Sequence, residues 1–160
     1  MAVEYYKQRG CVPGTLLITE GTFISPEAGG YANVPGIWSE AQVASWKRIV
    51  DAVHAQGSKI YLQLWALGRA ATESVLKGEL QAQGKVVSAS ACPLQNGDTP
   101  TPLTEDEIKM YVEHYGSAAK NFVHGAGGDG VEIHGANGCA LLLSPKIGRR
   151  ADTLCAQLLD

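Results

Sequence analysis

Apolar residues fall into two kinds of pattern along this chain: short unbroken runs, and stripes at helical spacing. The runs are Thr15-Leu16-Leu17-Ile18-Thr19, Lys59-Ile60-Tyr61-Leu62-Gln63-Leu64-Trp65 and Val131-Glu132-Ile133-His134. Each has the length and content of a buried strand, and the first reads as a strand covered on both faces. The first stripe is Val3 with Tyr6, in a helix over residues 2–9 that Gly10 ends. The second is Val43, Trp46, Val50 and Val53, opened by the capping box Ser39-x-x-Gln42 and closed by Gly57. The third is Ile108, Tyr111, Tyr115, Ala118 and Phe122, opened by Thr104-x-x-Glu107 and ending near Gly125. Residues 22–37 are rich in Gly and Pro and read as a surface loop, while 66–103 form a long, weakly patterned excursion of the functional or disordered kind.

The order strand, helix, strand, helix, strand is that of a parallel sheet with right-handed crossovers. A doubly wound sheet would place a glycine-rich phosphate turn after a strand, and neither GxGxxG nor GxxxxGKS/T occurs. A (β/α)8 barrel instead gathers chemistry at the carboxyl ends of its strands. Here every strand end carries polar or glycine residues: Thr19-Glu20-Gly21, Gln63-Leu64-Trp65, and His134 to Asn137. A full barrel takes ~250 residues. The expected fold class is therefore α/β, a partial (β/α)8 TIM-barrel fragment with about three parallel strands. It occupies residues 1–138, followed by a divergent tail over 139–160. The two edges of such a sheet are open to self-association.

Composition narrows the function classes. With 160 residues, 45% hydrophobic, 18% charged and a net charge of −3, the chain has no basic footprint for nucleic acid or an anionic membrane. Neither partner is expected. No apolar window approaches a spanning helix and no leader is evident, so the expected location is cytoplasmic. Cys11, Cys92, Cys139 and Cys155 form no close pair, which favours reduced thiols and no metal site. His54, His114 and His124 sit on helix faces or ends and are assigned no role. Gln63 stands out, because a polar amide inside an apolar strand needs a partner. Glu20 and Glu132 leave a paired-carboxylate site open as an alternative.

Several motifs in a fixed order then resemble one family. Leu16-Leu17-Ile18-Thr19-Glu20-Gly21, Gly29-Gly30-Tyr31, Pro35-Gly36-Ile37-Trp38-Ser39, Gln63-Leu64-Trp65 and Glu132-Ile133-His134-Gly135-Ala136-Asn137-Gly138 resemble the Old Yellow Enzyme family, above all its fungal members. The resemblance implies a barrel holding FMN, reduced by NAD(P)H, that reduces the C=C bond of α,β-unsaturated carbonyl compounds. It places the backbone of Gly21 against the flavin ring and the Gln63 amide on the ring's pyrimidine edge. His134 and Asn137 match the pair that binds the substrate carbonyl, and Trp65 matches a wall of the substrate pocket. Two donors aimed at that oxygen would stabilise the charge developing on it during hydride addition.

The family pattern continues with a proton-donating tyrosine after Gly138, where this chain has Cys139. The family's first strand, later strands and phosphate-gripping loops have no counterpart here. The chain as written is therefore expected to be impaired or inactive, the alternative being a non-catalytic remnant or interaction fragment. A shifted reading frame, a retained intron or a truncated gene model would account for the break. If the frame is shifted, the transcript encodes the family continuation in another frame directly after Gly138. Sequencing that transcript and finding none removes the explanation.

Overall fold

The computed structural model describes residues 1–80, 82, 84–95 and 97–135. Its elements run α1 (Ala2–Arg9), β1 (Leu16–Ile18), β2 (Thr22–Phe23), α2 (Glu40–His54), β3 (Lys59–Trp65), α3 (Glu73–Lys77), β4 (Val87–Ser88), β5 (Thr101–Pro102), α4 (Glu105–Lys120) and β6 (Gly130–Ile133). The chain divides into two compact units. The first comprises Met1–Ser25, Pro35–Leu64 and His114–Ile133, and the second Pro26–Val34, Trp65–Glu113 and the segment starting at His134. Among the described residues no helix is long and apolar enough to cross a membrane.

In the first unit β3 is the shared strand. It pairs in parallel with β1, setting Leu17 opposite Ile60, and in parallel with β6, setting Gln63 opposite Glu132. The short β2 also neighbours it. Because a strand's side chains alternate between faces, β3 presents two different rows. Ile60, Leu62 and Leu64 are buried, whereas Tyr61 and Gln63 on the other face are half-buried. Both β1 and β6 were expected to be buried, and they are not: Leu16 is 52% exposed, Ile18 48% and Ile133 63%. Leu16 and Ile18 share the face of Lys59 and Tyr61 by register and are about half exposed there.

Helix α2 opens with the capping box that the sequence predicts. Ser39 Oγ accepts the Gln42 N–H at 3.3 Å while Gln42 Oε1 accepts the Ser39 N–H at 2.9 Å. Beyond the last turn of α2, Gly57 adopts φ +76° and donates its N–H to the His54 carbonyl at 2.8 Å. Trp46, only 4% exposed, donates its indole N–H to the Gly36 carbonyl at 3.1 Å. Its ring meets Phe122 edge-on with centroids 6.1 Å apart, and Tyr6 at 6.3 Å. One side chain thus packs α2 against α1 and against the π-helical turn Asn121–Ala126 that continues α4. That turn carries the helix past Gly125 to Gly127, where φ is +81°.

Residues 22–37 differ from the surface loop expected. Phe23 donates to the Pro35 carbonyl and accepts from the Ile37 N–H, and Phe23 and Ile37 are both fully buried. Backbone pairing at both ends lets this aperiodic segment bury apolar side chains while the main-chain groups of Phe23 stay paired.

In the second unit the long excursion is ordered into α3 and a parallel pair, β4 with β5, in which Val87 faces Thr101. The Leu67 N–H bonds the Ala28 carbonyl and the Thr72 N–H that of Gly30. Gly30 sits at φ +138°, where a Cβ would meet that of Ala71 at 2.5 Å, so only glycine permits this approach. Helix α4 opens with the expected box, Glu107 Oε2 accepting both the N–H and the hydroxyl of Thr104 at 2.8 and 2.9 Å. Lys85, 2.8 Å away, together with Thr104 holds the Glu107 carboxyl at about 2, below its ordinary 4.5. Cys11 is free, and Cys139 and Cys155 lie outside the described residues.

At the start of β3 the Asp129 carboxylate receives Lys59 Nζ at 2.8 Å and the Ile60 N–H at 2.9 Å, and lies 2.7 Å from His54 Nε2. His54, assigned nothing from sequence, is thereby a structural partner. Burial alone would raise the Asp129 pKa; the bonds from Lys59, His54 and Ile60 outweigh it and lower the value from 3.8 to about 2. A depressed folded value means stability that is present above the unfolded pKa and lost as pH falls through the folded one. Asp129→Asn should lower stability near neutral pH by on the order of 1 kcal/mol, after solvent screening, and flatten the loss between about pH 4 and about pH 2. Urea unfolding across that range checks it, and identical pH slopes for the two proteins would contradict it.

Candidate functional site

Strand β1 stops at Ile18, and Thr19 carries its pairing one step further. The Thr19 N–H donates to the Tyr61 carbonyl at 3.0 Å. Its hydroxyl oxygen accepts the Gln63 N–H at 3.0 Å and donates to the Glu20 carbonyl at 2.9 Å. Thr22 Oγ1 donates to the same carbonyl at 3.1 Å. Two hydroxyls therefore anchor the backbone immediately before the half-buried Gly21. The Glu20 carboxylate itself accepts the Tyr6 hydroxyl.

Gln63 is held at both ends. Its backbone rests on Thr19, and its Nε2 donates to Glu132 Oε1 at 2.5 Å, across the β3–β6 register that sets the two residues side by side. The amide Oε1 receives no hydrogen bond from any described residue. The partner that a buried amide demanded is thus a carboxylate. The two carboxylates of the alternative reading have separate partners, Glu20 the Tyr6 hydroxyl and Glu132 the Gln63 amide.

In the second unit Trp65, the last residue of β3, stands between two rings. Tyr31 meets it edge-on with centroids 5.8 Å apart and an interplanar angle of 75°, and His134 at 5.5 Å and 64°. His134 Nε2 is buried and has no hydrogen-bond partner among the described residues. A buried ring nitrogen left unbonded carries a desolvation penalty. Asn137 and Cys139 lie outside the described residues. The same unit encloses a cavity of about 250 Å³ lined in part by Leu76, Val87, Leu103 and Met110, and no sequence-predicted site residue lines it.

The structure brings Gln63 to Thr19 and Glu132, and Trp65 to His134. Sequence reasoning left Glu132 without its partner, although a carboxylate inside an apolar strand signals one as strongly as the amide does. Tyr31 carried only the weak signal of an aromatic following Gly29-Gly30.

These parallel strands and helices are those of part of an α/β barrel. The chain belongs to the NADH:flavin oxidoreductase / NADH oxidase family, whose model matches residues 1–155, past Gly138. It is 57% identical over 139 residues to the NADP-dependent oxidoreductase lnbE of Aspergillus flavus, a match covering 86% of this chain and 36% of that protein. It is 58% identical over 136 residues to a protein of Epichloe festucae var. lolii named probable inactive reductase easA, with 84% and 35% covered. The solved Old Yellow Enzyme from Pichia sp. superposes with a TM-score of 0.79 at 39% identity, over 87% of this chain and 38% of that one. The chain thus spans somewhat over a third of the relatives it matches, and its α/β fold is that part of a (β/α)8 barrel.

Replacing Thr19 with Val keeps its shape and removes the oxygen on which the Gln63 N–H rests. Thr19→Val should destabilise the first unit by about 1–2 kcal/mol, the penalty of a part-buried amide left unpaired. A midpoint of urea unfolding equal to that of the unaltered protein would refute this role.

Proposed function

We propose that this chain contributes the flavin-edge and substrate-oxygen groups of an FMN-dependent NAD(P)H oxidoreductase that reduces the C=C bond of α,β-unsaturated carbonyl compounds. The observation that carries this reading is the buried, unbonded His134 Nε2 beside Trp65. A separate observation in its support is the Gln63 amide, whose oxygen receives no hydrogen bond from any described residue. The chemistry FMN supplies when bound is hydride transfer between a nicotinamide and the substrate. The edge of its ring that presents an N–H between two carbonyls suits an amide offering one acceptor and one further N–H, which is what Gln63 retains. Gly21, with no side chain, leaves its backbone open to a flat ring.

His134, as a donor, and Asn137 would bind the substrate carbonyl and take up the negative charge that grows there, a contribution of a few kcal/mol for each well-placed donor. Trp65 would wall the pocket. Cys139 would occupy the position of the proton donor, with a shorter side chain and a weaker donor than a phenol. Small-molecule enones are the substrate class of this reading, and a cytoplasmic location belongs to it.

A second reading, a non-catalytic remnant or interaction fragment, is favoured by Cys139 standing where the resemblance expects tyrosine. The name of the Epichloe relative points the same way. The exposed Leu16, Ile18 and Ile133 would then serve self-association through the sheet. Purified protein separates the readings. The first predicts a flavin absorption spectrum after FMN is added and FMN-dependent oxidation of NADPH in the presence of an enone. It also predicts that Cys139→Tyr raises enone reduction, on the order of 10²-fold for a restored general acid, without altering FMN affinity. Protein that stays colourless and inert with FMN, in both forms, rejects it.

A further inference from the structure

We infer that Glu132 is a positioning residue: it fixes the orientation of the Gln63 amide, so that the amide oxygen, and not its nitrogen, is offered to the N–H of the flavin ring edge. The inference rests on the flavin reading of Gln63 given above. A side-chain amide has two nearly isosteric ends, and a half-turn about its last bond exchanges an acceptor for a donor pair. Unrestrained, Gln63 would present the wrong end to a ring N–H part of the time, and binding would bear the loss of that freedom.

Glu132 removes the ambiguity. An ionised carboxylate only accepts, so the amide atom 2.5 Å from Glu132 Oε1 is the nitrogen. The restraint is built into the backbone as well. Gln63 and Glu132 are register partners on parallel strands, which puts both side chains on the same face of the sheet at the same height. The Gln63 N–H is fixed to Thr19, so the side chain departs from an anchored point. One amide hydrogen is spent on the carboxylate. What remains is an oxygen acceptor beside one N–H, the complement of an N–H flanked by a carbonyl.

The test has two arms. In the full-length protein labelled with ¹⁵N, the Gln63 side-chain amide should show one proton shifted downfield and slow to exchange, and Glu132→Ala should abolish that signature. Glu132→Gln, which keeps the shape and can also donate, should weaken it. In the second arm FMN is titrated into the unaltered protein, Glu132→Ala, Gln63→Ala and the double variant, with folding checked by circular dichroism. Glu132→Ala should weaken FMN binding about tenfold, the worth of one oriented hydrogen bond, and should have no further effect once Gln63 is alanine. An equal loss in both backgrounds means that Glu132 acts on the fold and not through Gln63, which overturns the inference; so does a Gln63 amide signal unchanged in Glu132→Ala. If the unaltered protein takes up no FMN, the flavin reading falls, and the amide signals alone decide whether Glu132 sets the Gln63 side chain.

Discussion

Strand β3 has to satisfy two opposite demands in the first unit, and its pleat meets both. One row of its side chains, Ile60, Leu62 and Leu64, is removed from water. The alternate row holds Tyr61 and Gln63, and Gln63 is a polar group only half in contact with solvent. A strand paired with β1 and with β6 through parallel ladders has its backbone groups committed, so the amide has to find its partner among neighbouring side chains. Glu132 supplies it at the same height, and Thr19 extends the ladder to the residue that carries it.

The beginnings of these strands and their ends are built differently. At the beginning of β3, Asp129 gathers His54, Lys59 and the Ile60 N–H into a compact ionic knot that joins the end of α2 to the turn before β6. Both Asp129 carboxylate oxygens have partners there. At the carboxyl ends satisfaction is incomplete: Gln63 Oε1 and His134 Nε2 have no hydrogen-bond partner among the described residues. Buried polar groups normally have partners, so each unsatisfied one calls for a physical reason.

Much of this was legible in the chain. The capping boxes at Ser39 and Thr104 located two helix starts, because a side chain that bonds its own helix terminus is a purely local device. Gln63 announced itself as a polar residue within an apolar strand. What escaped was non-local. Phe23 and Ile37 are buried by backbone bonds that span the loop between them, which no periodicity can show. The exposure of Leu16 and Ile18 depends on what covers one face of a sheet, and an unbroken apolar run reads as covered on both. Glu132 was weighed as half of a carboxylate pair, because its neighbour across the sheet is set by register and not by sequence proximity.

The central claim is that the carboxyl ends of β1 and β3, at Gly21 and Gln63, meet one edge of a flavin ring. Amide hydrogen exchange of the protein with and without FMN tests it most directly. The account predicts slower exchange confined to the backbone around Gly21, Gln63 and Glu132, with the Asp129 knot at the opposite strand ends unchanged. Exchange that is the same with and without FMN at those three residues, or slowed evenly through the chain, would contradict it.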